Sequence, residues 1–509
     1  MANDSSSIGF FAADALEKTA ARQPQKTALI AKEEELTFAA LNQRVQALAT
    51  HLQKEGVKPG DRAGILLPNS VAIPLSYFAT QKIGAVTVIL DARLRGKELQ
   101  GVLRDADLKL LIVHKQLFPE VQEAFHAMPP IPVWIVNGEG DQSFERRFTE
   151  VAVPLSLSRP QPDEDALILY TSGTTGEPKG VVLSYSNLAQ YPRVMSEMRV
   201  TDSSTIRGCI LPMSHIVGPT VCNELVEKGY TLVIFDQINP MTLLEGIQKY
   251  RVSVFEGVPI VFQLILGVRN LADFDTSSMK IAAMMGTTVP VPLLRAFKAA
   301  QPHIQVIQGF GLTETSPLIT LVEPDQAVAK MGSIGRAVPG VEVRIVDEHN
   351  NEVPAGEPGE IITSGPHVMK GYFRKPEATA ARIHNGWLYT GDVGKCGEDG
   401  YYFHLGRRDD MIITGGLNVY PAEVENMIYH YAKVQETIVF AIPDAKRGHV
   451  IGAAVVARQG ETIVEKDLLS FLRINLASFK VPQKIVVRES LPRTSSGKVI
   501  REAETLLAN

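Results

Sequence analysis

Tyr170-Thr-Ser-Gly-Thr-Thr-Gly-Glu-Pro-Lys-Gly180 lies between two apolar, strand-like runs, Ala166 to Leu169 and Val181 to Ser184. Its three glycines let backbone N–H groups crowd together without Cβ interference, and its four hydroxyls and Lys179 add further donors. Converging donors of this kind suit a polyphosphate. A flexible polar hairpin tip would use the same small residues, but a lysine fixed directly after Pro178 fits that reading poorly. A P-loop is excluded. That motif places Ser or Thr after its lysine and opens a helix, whereas here Gly180 follows Lys179 and a strand follows the loop.

Working outward, the first third alternates helix and strand patterns. Thr37 reads as an N-cap, Phe38, Leu41, Val45, Leu48 and Leu52 recur at 3-4-3-4 spacing, and Gly56 closes the helix. Asp61 to Leu67 reads as a strand, Asn69 to Lys82 as a second helix, and Ala85 to Leu90 as a buried strand. The alternation resumes at Thr231 to Phe235, Thr242 to Tyr250 and Val252 to Phe255. Such alternation predicts stacked α/β layers with mostly parallel sheets. From about Gly332 the texture changes to short strands with Gly/Pro punctuation, which predicts a β-rich subdomain. After Gly406 a final segment runs helix, strand, strand, helix, strand, from Pro421 to Arg488. The expected organisation is a large α/β N-terminal domain over 1–405, a hinge at 406–410 and a small mobile α+β C-terminal domain over 411–509.

Composition agrees with this. A chain of 509 residues is too long for one core, and 45% hydrophobic with 21% charged residues fits a globular protein. A net charge of −5 offers no basic field for nucleic acid. The cysteines Cys209, Cys222 and Cys396 have no metal-like spacing and point to a reducing compartment. The N-terminus lacks a basic start with a long apolar run, so no secretory signal is expected. Val71 to Leu90 is broken by Ser76, Gln81 and Lys82, so no transmembrane segment is expected and a cytoplasmic location is the default.

Further motifs follow in a fixed order: Leu211-Pro-Met-Ser-His215, Gln308-Gly-Phe-Gly-Leu-Thr-Glu314, Gly332-Ser-Ile-Gly-Arg336, Trp387-Leu-Tyr-Thr-Gly-Asp392, Gly406-Arg-Arg-Asp-Asp410, Gly415-Gly-Leu-Asn-Val-Tyr-Pro421 and Pro492-Arg-Thr-Ser-Ser-Gly-Lys498. With the opening loop, these resemble the adenylate-forming superfamily of acyl-CoA synthetases, adenylation domains and beetle luciferase over nearly the whole chain, and most resemble an AMP-forming acyl-CoA synthetase. The resemblance implies that MgATP activates a carboxylic acid as an acyl-adenylate, which a thiol, that of coenzyme A, then takes up.

It also implies roles. Thr171, Ser172, Gly173, Thr174, Thr175, Gly176 and Lys179 would hold the phosphates of ATP. Gly286, Gln308, Gly309, Phe310, Gly311 and Thr313 would surround the nucleotide, with Phe310 stacking on adenine, as an aromatic face can. Glu314 would ligate Mg²⁺, a cation that accepts hard oxygen. Asp392 and Arg407 would hold the ribose or phosphates. Asp409 would be the hinge, Gly415 and Gly416 would line the thiol channel, and His215 would line the route between acid and thiol. Lys498 would be the catalytic cation, offsetting repulsion as a carboxylate attacks the α-phosphate. Taken singly, most of these are ordinary residues; an Asp in a turn or an Arg on a surface is common.

Three departures from the family's pattern stand out: Tyr185 where many relatives carry His, Met285-Gly-Thr-Thr-Val-Pro290 beside the nucleotide, and His449 after Gly448. None removes a phosphate, metal or ribose contact. No carboxylate follows Pro212-Met-Ser-His215 to pair with an amine, so the acid is expected to lack an α-ammonium, whose unpaired burial would be costly. Apolar Ile216 to Leu225 and Val258 to Leu266 suit a fatty or aromatic acid. A carrier-protein thiol as acceptor and a luciferase-like oxidation remain alternatives, although Asn509 follows Lys498 too closely for a fused carrier. Lys498→Ala is expected to abolish adenylate formation while sparing thiol transfer from a supplied acyl-adenylate. Separate assays of the two half-reactions check this, and equal loss of both would remove the role.

Overall fold

A computed structural model of the chain describes residues 10–32, 34–126, 128–148, 159–171, 178–287, 289–458, 460–493 and 499–507. Ser172, Gly173, Thr174, Thr175, Gly176 and Lys498 lie outside these. Among the described residues, no helix is long and apolar enough to cross a membrane.

Two large sheets organise the N-terminal part. One has seven strands with Arg62–Leu66, Val86–Ile89, Leu110–His114, Val133–Val136 and Asp165–Thr171 all parallel. The other has nine, with a parallel block of Thr27–Ala31, Thr231–Ile234, Ile206–Cys209, Val254–Gly257, Ile281–Met284 and Gln305–Phe310. Most residues of these strands are apolar and buried, as burial on both faces requires. Helices Ala12–Arg22, Phe38–Lys54, Ala72–Lys82 and Val217–Lys228 share one core with strands of both sheets. The Thr37 side chain caps the second of these by accepting from Ala40 N.

Ala72 to Gln81 is buried all round, so its polar groups need internal partners. Tyr77 donates to Asn223 Oδ1 at 2.9 Å, and Gln81 Nε2 donates to Ala166 O at 2.8 Å. The helix begins at Ala72 rather than at Asn69, because Asn69 is committed elsewhere. Its Nδ2 donates to Leu211 O and Phe235 O, and its Oδ1 accepts from Met213 N. That amide stitches the loop before His215 to the neighbouring layer.

The third body is the expected β-rich subdomain, with five strands: Glu342–Val346, Gly359–Ser364, Ile383–His384, Trp387–Cys396 and Tyr402–Arg407. Gly406 and Arg407 pair with Val393 and Asp392, so these two residues of the expected hinge are strand. The chain leaves the sheet only at the turn formed by 408–410. The last body has helices Pro421–Tyr429 and Glu465–Asn475 against a sheet of Ile412–Thr414, Leu417–Val419, Val434–Asp444, Gly448–Ala457 and Lys484–Arg488.

Beneath the nine-stranded sheet, Arg207 is buried between two buried carboxylates. Its Nη2 lies 2.6 Å from Glu256 Oε2 and 2.8 Å from Tyr191 Oη, and its Nη1 meets Glu224. Burial pushes Glu224 upward and Arg207 opposes it, while Thr201 donates to the same carboxyl. The cluster fastens strands Ile206–Cys209 and Val254–Gly257 to helix Val217–Lys228. Arg207→Met would leave two buried carboxyls without their cation, at a cost of about 3–5 kcal/mol. Urea unfolding of the variant checks this.

Candidate active site

The opening loop joins a hairpin: Asp165–Thr171 and Lys179–Ser184 run antiparallel, with Thr171 opposite Lys179. Lys179 is therefore a strand residue. Its Nζ lies 5.5 Å from the centroid of the Tyr372 ring, and the Tyr372 hydroxyl donates to Glu314 Oε1 at 2.8 Å. Burial, then the Glu314 carboxylate, pushes that phenol well above its usual range, so it stays a donor. Lys179 and Glu314, far apart in sequence, are thus joined through Tyr372.

Gln308, Gly309, Phe310 and Gly311 leave the carboxyl end of a parallel strand, the edge at which α/β sheets hold ligands. Gly311 has a steric reason: a Cβ there would sit 1.6 Å from Pro317 O. The same residues line a cleft of ≈ 170 Å³ with Gly286, Ser333, Asp392, His404 and Arg407. A smaller recess of ≈ 30 Å³ is lined by Glu314, Tyr372, Arg382 and Thr390, and Arg407 borders both. Thr313 opens the short turn Thr313–Thr315 between them.

Asp392 decides what the cleft can hold. It is only 3% exposed, and it faces Arg407 across the strand pair. Arg407 Nε lies 3.2 Å and His404 Nε2 2.9 Å from Oδ1. Oδ2 is buried with no hydrogen-bond partner. An unpaired buried carboxylate oxygen is costly unless a ligand supplies donors. The Phe310 ring stands beside this carboxylate, 5.6 Å from the His404 ring at a 35° tilt.

His215 lines neither recess. It is 48% exposed, its Nε2 lying 3.0 Å from Arg93 Nη2 and 3.3 Å from Asp91 Oδ2. Burial would raise Asp91, but hydrogen bonds from His215 and Arg93 outweigh it and hold the carboxyl well below the usual range. Asp409 is exposed in the turn after Arg407. Gly415 and Gly416 form the tip of the hairpin Ile412–Thr414/Leu417–Val419 with φ of +56° and +82°. Two positive φ values in a two-residue hairpin turn already require glycine there.

His404, Tyr372, Arg382, Ser333 and the Asp91–Arg93 pair were not picked out from the sequence. His404 could have been found only from the pairing of strands 387–396 and 402–407, because a bulge between Val393 and Gly394 shifts the register that sets it beside Asp392.

A cleft with an aromatic wall, a buried carboxylate with one oxygen lacking a donor and a neighbouring acid–lysine pair, set at the carboxyl edge of a parallel sheet, defines a nucleotide-binding α/β enzyme. The profile of the AMP-binding enzyme family matches residues 16–373, and that of the AMP-binding enzyme C-terminal domain matches 423–498. The chain belongs to the AMP-binding enzyme family. It is 35% identical over 489 residues to a feruloyl-CoA synthase from Amycolatopsis sp, covering 95% of this chain and 96% of the relative. It is 32% identical over 522 residues to a long-chain-fatty-acid–CoA ligase from Bacillus subtilis (strain 168), covering 96% and 92%. ATP-bound MatB from Rhodopseudomonas palustris, 30% identical, superposes with a TM-score of 0.89 over 97% of each chain.

Asp392→Asn keeps the shape but removes the charged acceptor. It is expected to weaken nucleotide binding about 10–100-fold, the worth of a charged hydrogen bond. Calorimetric titration with AMP, on a variant whose melting temperature is unchanged, checks this.

Proposed function

We infer that this chain is an AMP-forming acyl-CoA ligase whose acid is apolar and lacks an α-ammonium. The observation that carries the reading is the unpartnered Oδ2 of Asp392 in a cleft walled by Phe310. A ribose offers two hydroxyl donors to such an oxygen, and a purine offers a face to such a ring.

In the first step a carboxylate oxygen of the acid bonds to the α-phosphorus of ATP while the bond to the bridging oxygen of pyrophosphate breaks. Asp392 orients the ribose, Arg407, which borders both recesses, contacts ribose or phosphates, and Lys179 and Lys498 offset the anionic repulsion. In the second step the sulfur of coenzyme A bonds to the acyl carbon and AMP departs with the carbonyl–oxygen bond's electrons. The thiol's proton is released to solvent.

The described residues contain no group of three His, Cys, Asp or Glu able to hold a metal by themselves. Glu314, on the smaller recess, suits Mg²⁺, which keeps phosphate and water ligands and takes one or two carboxylates. Glu314 would hold it, and the ion supplies neutralisation of phosphate charge when bound.

The expectation of an apolar acid rests on the apolar runs Ile216 to Leu225 and Val258 to Leu266. Of these, Val221, Cys222 and Leu225 and Val261, Phe262 and Ile265 are packed in the protein core and line neither recess. The relatives named above act on feruloyl and long-chain fatty acyl groups, so acid identity is settled by assay. Against a panel of acids, apolar acids should release AMP and pyrophosphate, with sustained AMP release only when coenzyme A is present, and α-amino acids should not. Turnover with a phosphopantetheinyl carrier but not with free coenzyme A would replace the acceptor. No pyrophosphate release with any acid would overturn the reading.

A further inference from the structure

The turn that leaves the subdomain is tied on its two sides to different bodies. Arg408 N donates to Gly391 O at 2.8 Å, and Arg408 Nη1 donates to Glu360 Oε2 at 2.9 Å. Both partners belong to the five-stranded subdomain sheet. Two residues on, Asp410 Oδ2 lies 3.5 Å from Arg501 Nε. Arg501 in turn donates through Nη1 to Glu425 Oε1 at 2.6 Å and to Val439 O at 2.8 Å, and through Nη2 to Glu425 Oε2 at 3.4 Å. Glu425 is on helix Pro421–Tyr429 and Val439 on strand Val434–Asp444, both in the C-terminal body. Asp409, between the two ties, is exposed.

We propose that Arg501 is a positioning residue for the adenylation step, clamping the exit of the turn at Asp410 to the C-terminal body so that the segment carrying Lys498 keeps a fixed register to the pivot. The physical reason is the number of ties that one guanidinium makes. Arg501 follows Lys498 by three residues, so its anchoring bounds the chain distance between the lysine and the C-terminal sheet. A planar guanidinium holds a carboxylate, a carbonyl and a second carboxylate through three separate nitrogens in a fixed plane, whereas an ammonium offers its three donors from one atom. Within the turn Asp410 N donates to Arg407 O and Met411 N to Arg408 O, both at 3.2 Å. With the Arg408 side chain fastened to one body and that of Asp410 to the other, rotation would open these two turn bonds and pivot on the backbone around Asp409. A hinge of so few residues moves a body without deforming it. A looser exit would let the C-terminal body swing without delivering Lys498 to one place, and a misplacement of about 1 Å can lower a rate about 100-fold.

The inference rests on the acyl-CoA ligase reading, and the experiment separates the two. Asp410→Asn removes the ionic tie to the turn while leaving Arg501 on Glu425 and Val439. Adenylate formation should fall about tenfold in kcat with KM for ATP unchanged, while thiol transfer from a supplied acyl-adenylate stays within twofold. Arg501→Gln should show the same split more deeply, and Arg501→Lys should restore only part of it. Trypsin should cut after Arg407 and Arg408 several-fold faster in Asp410→Asn than in the wild-type chain, a readout that needs no turnover. Equal loss of both half-reactions, or an unchanged adenylation rate with unchanged cleavage, would overturn the clamp. A wild-type chain that never makes adenylate, yet shows the cleavage difference, would overturn the function and leave the clamp standing.

Discussion

The pairing of Asp392 with Arg407 across two antiparallel strands sets the character of the whole cleft. It places a charged carboxylate where almost no water reaches, and balances one of its oxygens with a guanidinium and an imidazole. The other oxygen is left with no internal donor. Buried polar groups are normally satisfied, so an exception at the wall of a cleft marks a group held in readiness for a ligand. The strand bulge after Val393 brings His404 to the same oxygen, and the positive-φ Gly406 pairs with Val393 there. Bulges next to sites commonly re-aim side chains in this way.

The two large sheets make that arrangement rigid. Their shared helical core contains buried polar groups, of which Tyr77 pairs with Asn223, Gln81 with Ala166 and Thr80 with Thr87, while Ser76 Oγ and Asn223 Nδ2 have no partner. Asn69 and the Arg207 cluster extend the same stitching to strands Ile206–Cys209 and Val254–Gly257 of the nine-stranded sheet. Directional bonds of this sort fix the relative position of layers more narrowly than apolar contact alone, which tolerates repacking. The strand ends carrying Gln308 to Gly311 can then approach Pro317 closely enough that only glycine fits at 311.

Much of this was legible in the sequence because it depends on local periodicity. The Thr37 cap, the strands at 359–364 and 484–488 and the helix over 421–429 follow from hydrophobic spacing and capping chemistry. The cleft residues Gly286, Gln308, Phe310, Asp392 and Arg407 came from motif order, and they do converge. What was hidden depends on register and distant partners. Tyr372 reaches Glu314 across 58 residues, and Asp91 reaches His215 across 124. Asn69 looked like the start of a helix because its type favours that place, but three distant backbone groups claim its side chain. Gly406 and Arg407 looked like linker because glycine and charge punctuate linkers, yet they complete a strand. Gly415 and Gly416 suggested a passage for a thiol, and the turn supplies a separate backbone reason for both.

Among the described residues, Glu314 is the carboxylate lining the smaller recess, which bears on how the proposed site would fill. Glu314 already accepts from Tyr372 through one oxygen, which leaves the other oxygen as its main free acceptor. If Glu314 holds Mg²⁺ as proposed, the ion would also need phosphate oxygens and water as ligands. Lys179, beside Tyr372, would add positive charge where the proposed reaction brings the acid's carboxylate close to phosphorus. On that reading the acid's carboxylate would meet less repulsion with nucleotide and metal in place than without them.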